Sequence, residues 1–92
     1  MIQSFRHKGL KRLFENGESK GIQPEHVEKL ENILAILNRA RKPDHMNLPG
    51  FRLHPLKGAL KGVWSVTVRA NWRLIFRFGE GHVCDLDLID YH

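Results

Sequence analysis

Three short segments carry the side chains best able to do chemistry. His54-Pro55-Leu56-Lys57-Gly58 supplies an imidazole and an ammonium, Arg69-Ala70-Asn71-Trp72-Arg73 supplies two guanidinium groups around a carboxamide, and the sequence closes on Asp90-Tyr91-His92. Imidazole exchanges protons near neutral pH. Guanidinium and ammonium groups hold anions, arginine through paired N–H donors. Brought together, these residues would make a cationic, histidine-bearing surface suited to RNA. Each segment also has a plainer reading. Pro55 and Gly58 punctuate a turn whose polar side chains are simply exposed. Two arginines can splay into water, and a terminal tripeptide can fray.

Whether the segments meet depends on the strands that carry them. Trp64, Val66 and Val68 alternate with Ser65, Thr67 and Arg69, and Leu74, Phe76 and Phe78 alternate with Arg73, Ile75 and Arg77. Cys84, Leu86 and Leu88 alternate with Val83, Asp85, Asp87 and Ile89, and Phe51-Arg52-Leu53 reads as a short strand before His54. Period-two runs separated by short turns predict an antiparallel meander with one apolar face. A slip of one residue would exchange core and solvent faces, so the alternation also sets register. A three-residue loop, Ala70-Asn71-Trp72, keeps the faces pure and places Arg69 opposite Arg73. A turn at Gly79-Glu80-Gly81 then places Phe76 opposite Cys84, Leu74 opposite Leu86, and Arg73 opposite Asp87. This register predicts that Arg69, Asn71, Arg73, Tyr91 and His92 converge. Arginines directly opposite one another repel, which suggests either an anion held between them or two side chains diverging into solvent.

The first half of the sequence reads as helix. Lys8 to Asn16 places Leu10, Leu13 and Phe14 on one side, with Gly17 positioned to end the helix. Lys8, Lys11 and Arg12 form a basic stripe at i, i+3 and i+4, either a solvated face or a binding one. Pro24 suits the first position of a second helix, and Glu25 and Glu28 oppose its dipole. Val27, Leu30, Leu34 and Leu37 recur at helical spacing beside Ile33, and Pro43 is placed to stop the helix. The expected architecture is α+β: two N-terminal helices packed on a small antiparallel sheet, in a single domain over residues 1–92.

Composition agrees with that size. The chain has 92 residues, 41% of them hydrophobic and 27% charged. That is enough for one modest core. Lys and Arg outnumber Asp and Glu by 15 to 10, a formal charge of +5. Such an excess favours a polyanionic partner. The single cysteine, Cys84, permits no internal disulfide and fits a reducing compartment. The first residues show no apolar signal region, and no run approaches the ~20 apolar residues of a membrane span. A cytoplasmic protein without a membrane partner is expected. The six histidines include no HxxxH pair and there is no CxxC, so no metal site and no cofactor are expected. Gly79-Glu80-Gly81 reads as a hairpin rather than a phosphate loop.

Four stretches in order match a known family: Ile2-Gln3-Ser4-Phe5 with Lys8-Gly9-Leu10, Leu53-His54-Pro55-Leu56-Lys57-Gly58, Trp64 through Arg73, and Asp90-Tyr91-His92. Over essentially its full length the chain resembles the HigB-type toxins of the RelE/ParE superfamily. Pro43 to Gly50 is less typical of them. The resemblance implies two N-terminal helices against an antiparallel sheet. It implies a toxin that enters the ribosomal A site and cuts mRNA there. It also implies a HigA-like antitoxin with a helix-turn-helix fold, operator DNA being bound only through the toxin–antitoxin complex.

By position, the resemblance assigns active-site and RNA-contacting roles to His54, Lys57, Arg69, Asn71, Arg73, Asp90, Tyr91 and His92. Such cleavage uses the RNA's own 2′-hydroxyl and needs proton transfer and stabilisation of a developing phosphorane. In that scheme His92 is the main acid/base group, oriented by Asp90, with His54 as its partner. Arg73 and Lys57 stabilise the phosphorane, and Arg69 adds a phosphate contact. Tyr91 stacks on a base or donates a hydrogen bond, and Asn71 contacts a base edge or phosphate. Lys8, Lys11 and Arg12 would hold rRNA. Which histidine is base and which is acid stays open. Two rival functions remain: a ParE-type toxin that inhibits gyrase by binding, and an RNA-binding module without catalysis.

Overall fold

The computed structural model describes residues 1–90. Helix α1 spans Lys8–Asn16, as its spacing predicts. The His7 imidazole accepts the Leu10 N–H at 3.1 Å. It thereby occupies one of the donors that a helix start leaves unpaired. At the other end Gly17 adopts φ +71° and returns its N–H to carbonyls of the last turn. Glycine takes this conformation without steric cost. Helix α2 spans Pro24–Arg39 and buries Leu30, Ile33, Leu34 and Leu37. It ends before Pro43 is reached. Ala40 is extended, its N–H reaches the Ile36 and Leu37 carbonyls, and the next amide, that of Arg41, is capped by His45 Nδ1 at 3.0 Å. Pro43 instead opens a single 3-10 turn, Pro43–Met46, which drops Met46 into the core.

The sheet has β1 (His54–Pro55), β2 (Trp64–Arg69), β3 (Trp72–Gly79) and β4 (His82–Asp90), antiparallel and in that spatial order. The first strand lies later than its expected position at Phe51-Arg52-Leu53. Arg52 has φ +51°, which interrupts extended pairing there, although the Phe51 carbonyl still accepts the Thr67 N–H at 2.7 Å. Pro55 lacks an amide donor, which an edge strand tolerates.

Both hairpins differ from the expected register in the same way. The first turns through two residues, Ala70 and Asn71, so that Arg69 pairs with Trp72 and Thr67 with Arg73. A two-residue turn alone would mix the faces. A bulge at Val68 adds one residue and restores them, so Val68 stays buried. The second hairpin turns through Glu80 and Gly81, at φ +53° and +78°. Two positive φ values in succession suit the right-handed twist of paired strands. Gly79 pairs with His82, Phe78 with Val83, and Arg77 with Cys84. A bulge follows, with Asp85 at φ +55°, and beyond it Ile75 pairs with Asp87 and Arg73 with Ile89. Val83, not Cys84, is therefore the buried residue, and Arg73 faces neither Arg69 nor Asp87.

An element without periodicity holds the second bulge. The N-terminal segment runs parallel to β4, bridging Ile2 to Val83 and Phe5 to Leu86. It covers what would otherwise be an open sheet edge. Ser4 Oγ accepts the Asp85 N–H at 2.9 Å, satisfying the amide that the bulge takes out of the ladder. Both helices pack on one face of the sheet, where Val66, Leu74, Phe76, Val83 and Leu86 are fully buried against Leu10, Leu30 and Leu37. Each such side chain contributes roughly 1.5–3 kcal/mol through burial. Among the described residues, neither α-helix packs on the other face. Among the described residues, no helix is long and apolar enough to cross a membrane.

Candidate active site

The uncovered face of the sheet holds a cleft of ≈ 370 Å³. Alternation along β2 and β3 directs Ser65, Thr67, Arg73 and Ile75 to this side, because their neighbours Val66, Leu74 and Phe76 point into the core. His54 pairs with Ser65 and Arg73 with Ile89, and paired residues share a face. The result is a cleft lined by Arg52, His54 and Arg73, with the Ser65 and Thr67 hydroxyls, over an apolar floor of Leu53, Leu56, Ile75 and Ile89. A few polar groups converging over an apolar floor in this volume range suit a small organic group such as a nucleobase with its phosphate.

Arg73 is aimed by its own hairpin. Its Nη1 donates to the Ala70 carbonyl at 2.6 Å and to the Trp72 carbonyl at 3.2 Å. A guanidinium has five N–H donors, so this tether leaves others for an anion. Behind Arg73, Trp72 points to the covered face and meets the buried His26 ring at 5.2 Å, which anchors the start of β3 on α2. Among the described residues Asp87 makes no ion pair with Arg73; its Oδ1 accepts the Leu88 N–H at 2.9 Å. Asp85 lies 3.8 Å from Arg77 instead. Neither carboxylate is paired with Arg73.

Lys57 lines an adjoining groove with Lys61, the two grooves sharing Leu56. Arg69 and Asn71 are exposed at the turn that tethers Arg73. Asp90 ends β4 opposite Trp72, at this same end of the sheet, and shares the face of Trp72 rather than that of Arg73. Tyr91 and His92 lie outside the described residues. Lys8, Lys11 and Arg12 sit on α1, in the helical layer, and the structure does not bring them to the cleft. Sequence reasoning missed Arg52, Ser65 and Thr67 as cleft residues. The parity that puts Ser65 and Thr67 beside Arg73 is readable, whereas the turn that exposes Arg52 is not.

The sequence profile of the family described as "RelE-like toxin of type II toxin-antitoxin system HigB" matches residues 3–92. The chain belongs to the HigB family of RelE-like toxins. It is 45% identical to Endoribonuclease HigB of Proteus vulgaris over 92 residues, spanning all of both chains. It is 32% identical to Toxin HigB-1 of Vibrio cholerae serotype O1 over 83 residues, 88% of this chain and 87% of the relative. In fold it is similar to a chain of the heterotetrameric YoeB-YefM toxin-antitoxin complex from Staphylococcus aureus, with TM-score 0.64 at 17% identity over 100% of this chain and 98% of the other. A YafQ mutant from E. coli gives TM-score 0.58 at 19% identity over 96% of this chain and 91% of the other. For a HigB-family toxin, two irregularities border the cleft: the Val68 bulge sits beside the hairpin turn that tethers Arg73, and the left-handed Arg52 sits at the cleft wall, whereas the Asp85 bulge lies against the N-terminal segment.

Proposed function

We propose that this toxin is a ribosome-dependent endoribonuclease that cuts mRNA in the A site by attack of the 2′-hydroxyl on the adjacent phosphorus. The P–O5′ bond breaks, leaving a 2′,3′-cyclic phosphate and a 5′-hydroxyl, with no water or metal consumed. The observation that carries this reading is the pairing of His54 with Arg73 in one cationic cleft. The end-to-end similarity to an endoribonuclease supports it. His92 serves as the main acid/base group, Asp90 orients it, and His54 is its partner. Arg73 stabilises the phosphorane, assisted by Lys57 from the adjoining groove. Arg69 and Asn71 extend the phosphate contacts past the turn, and Tyr91 stacks on a base or donates a hydrogen bond.

Lys8, Lys11 and Arg12, in the other layer, suit a ribosomal RNA contact rather than the scissile strand. A cytoplasmic location follows from a ribosomal substrate. The partner that neutralises the toxin is a HigA-like helix-turn-helix antitoxin, through which alone the toxin reaches operator DNA. Mapping mRNA 5′ ends after induction tests the reading. Wild type should produce new 5′-hydroxyl ends in register with codons, and His92→Ala should not. Growth arrest with intact mRNA and damaged DNA would instead identify a gyrase-directed toxin, and harmless expression a non-catalytic RNA-binding module.

A further inference from the structure

We propose that Arg52 is a substrate-contacting residue of the cleft, gripping a phosphate of the single-stranded RNA that Arg73 and His54 engage. This rests on the endoribonuclease reading above.

Three observations converge on Arg52. First, it lines the same cleft as His54 and Arg73. Second, its side chain is exposed, and among the described residues no hydrogen bond or ion pair engages its guanidinium. The two arginines of β3 are occupied: Arg73 donates to two carbonyls of its hairpin, and Arg77 donates to the Lys61 carbonyl at 3.3 Å and approaches Asp85. Third, its backbone has φ +51°. That region disfavours any residue with a Cβ.

The other non-glycine residues at positive φ have a structural reason to be there. Ala70 and Glu80 lie in hairpin turns, and Asp85 forms a bulge. Arg52 is in neither. Its neighbours determine its conformation. Leu48-Pro49-Gly50-Phe51 closes a turn with the Phe51 N–H on the Leu48 carbonyl at 3.0 Å and Gly50 at φ +84°. The Phe51 carbonyl is then held by Thr67, and its ring is buried with Lys29 Nζ at 5.4 Å from its centroid. Glycine would adopt this backbone at less cost, so stability does not explain an arginine here. Strained residues held by well-packed neighbours mark sites where side-chain placement matters more than local comfort. The chemistry that fits is a phosphodiester, which a guanidinium binds through two parallel N–H donors.

Arg52→Gly separates the two roles, because it relieves the backbone while removing the cation. Cleavage of mRNA on programmed ribosomes and the thermal midpoint would be measured for wild type, Arg52→Gly, Arg52→Lys and Lys20→Ala, the last removing a cation from the exposed α1–α2 connection. We expect Arg52→Gly to cut about tenfold more slowly, as loss of a charge-assisted hydrogen bond implies, with its midpoint at or above wild type. Arg52→Lys should recover part of the rate, and Lys20→Ala should match wild type. An Arg52→Gly protein cutting at the wild-type rate would overturn the assignment. So would a rate loss accompanied by a fallen midpoint, or an equal loss in Lys20→Ala. If wild type itself cut no mRNA, the endoribonuclease reading would fail and this inference with it.

Discussion

The two faces of the sheet are made from the same strands and obey different rules. On the helix side, Val66, Leu74, Phe76, Val83 and Leu86 are fully buried, and what the core asks of them is apolar volume that packs. On the open side, Ser65, Thr67, Arg73, Ile75 and Ile89 are placed by the same alternation, and they line a cleft instead of a core. The covered face stabilises the fold. The open face holds a cleft lined by Arg52, His54 and Arg73, and among the described residues neither Asp87 nor Asp85 forms an ion pair with Arg73. A sheet with one face committed to packing can therefore leave the other free for a ligand at little cost in stability.

The sharpest break of this contrast is a truncation on the covered face. Phe76 is fully buried at the centre of the core, edge-on to Phe78 with ring centroids 5.8 Å apart. Phe76→Ala should cost about 3–5 kcal/mol, a large share of the stability of so small a domain. Chemical denaturation should show this as a lowered midpoint, and RNA cleavage should fall only in proportion to the folded fraction. The open face should respond in the opposite sense. His54 is exposed on β1. His54→Ala should therefore leave the denaturation midpoint nearly unchanged. Its cleavage rate on programmed ribosomes should fall about a hundredfold, the low end for loss of a positioned acid/base group. A His54→Ala protein that unfolds early would show that the faces are not separable.

The same contrast explains what can be read in advance. Helix α1 is legible to the residue, because Gly17 and the Leu10–Leu13 spacing report local energetics that nothing distant overrides. The faces of β2 and β3 are legible for the same reason. The side of the sheet that carries Arg73 follows from parity alone. Register is not legible, and the cause is the two bulges. A bulge leaves period two intact on either side, so each half of β4 looks regular while the whole is shifted by one. The spacing of Val83 and Leu86, an odd step between two buried residues, is the visible trace of an inserted residue. Simple alternation instead puts Cys84 on the apolar side. The agent that fixes this bulge, Ser4, is 81 residues away and carries no periodic pattern, so only the folded chain reveals it. The left-handed Arg52 is hidden similarly, since arginine gives no sign of a backbone that glycine would favour.

The smallest effect tests how far the turn beneath Arg73 belongs to stability and how far to function. Ala70 has φ +50° and is exposed, so its methyl group buries little and sits on a disfavoured backbone. Glycine removes a steric cost of roughly 1–2 kcal/mol. It also gains freedom in the unfolded chain, which offsets roughly 0.5–1 kcal/mol of that. Ala70→Gly should therefore be neutral to stabilising by about 1 kcal/mol, read as a small rise in the denaturation midpoint. The carbonyl that accepts Arg73 Nη1 at 2.6 Å belongs to the backbone and survives the substitution. Cleavage should then stay at the wild-type rate. If instead the midpoint rises while cleavage falls, the alanine is holding the turn rigid for Arg73, and the hairpin belongs to the open face's chemistry as much as the guanidinium it tethers.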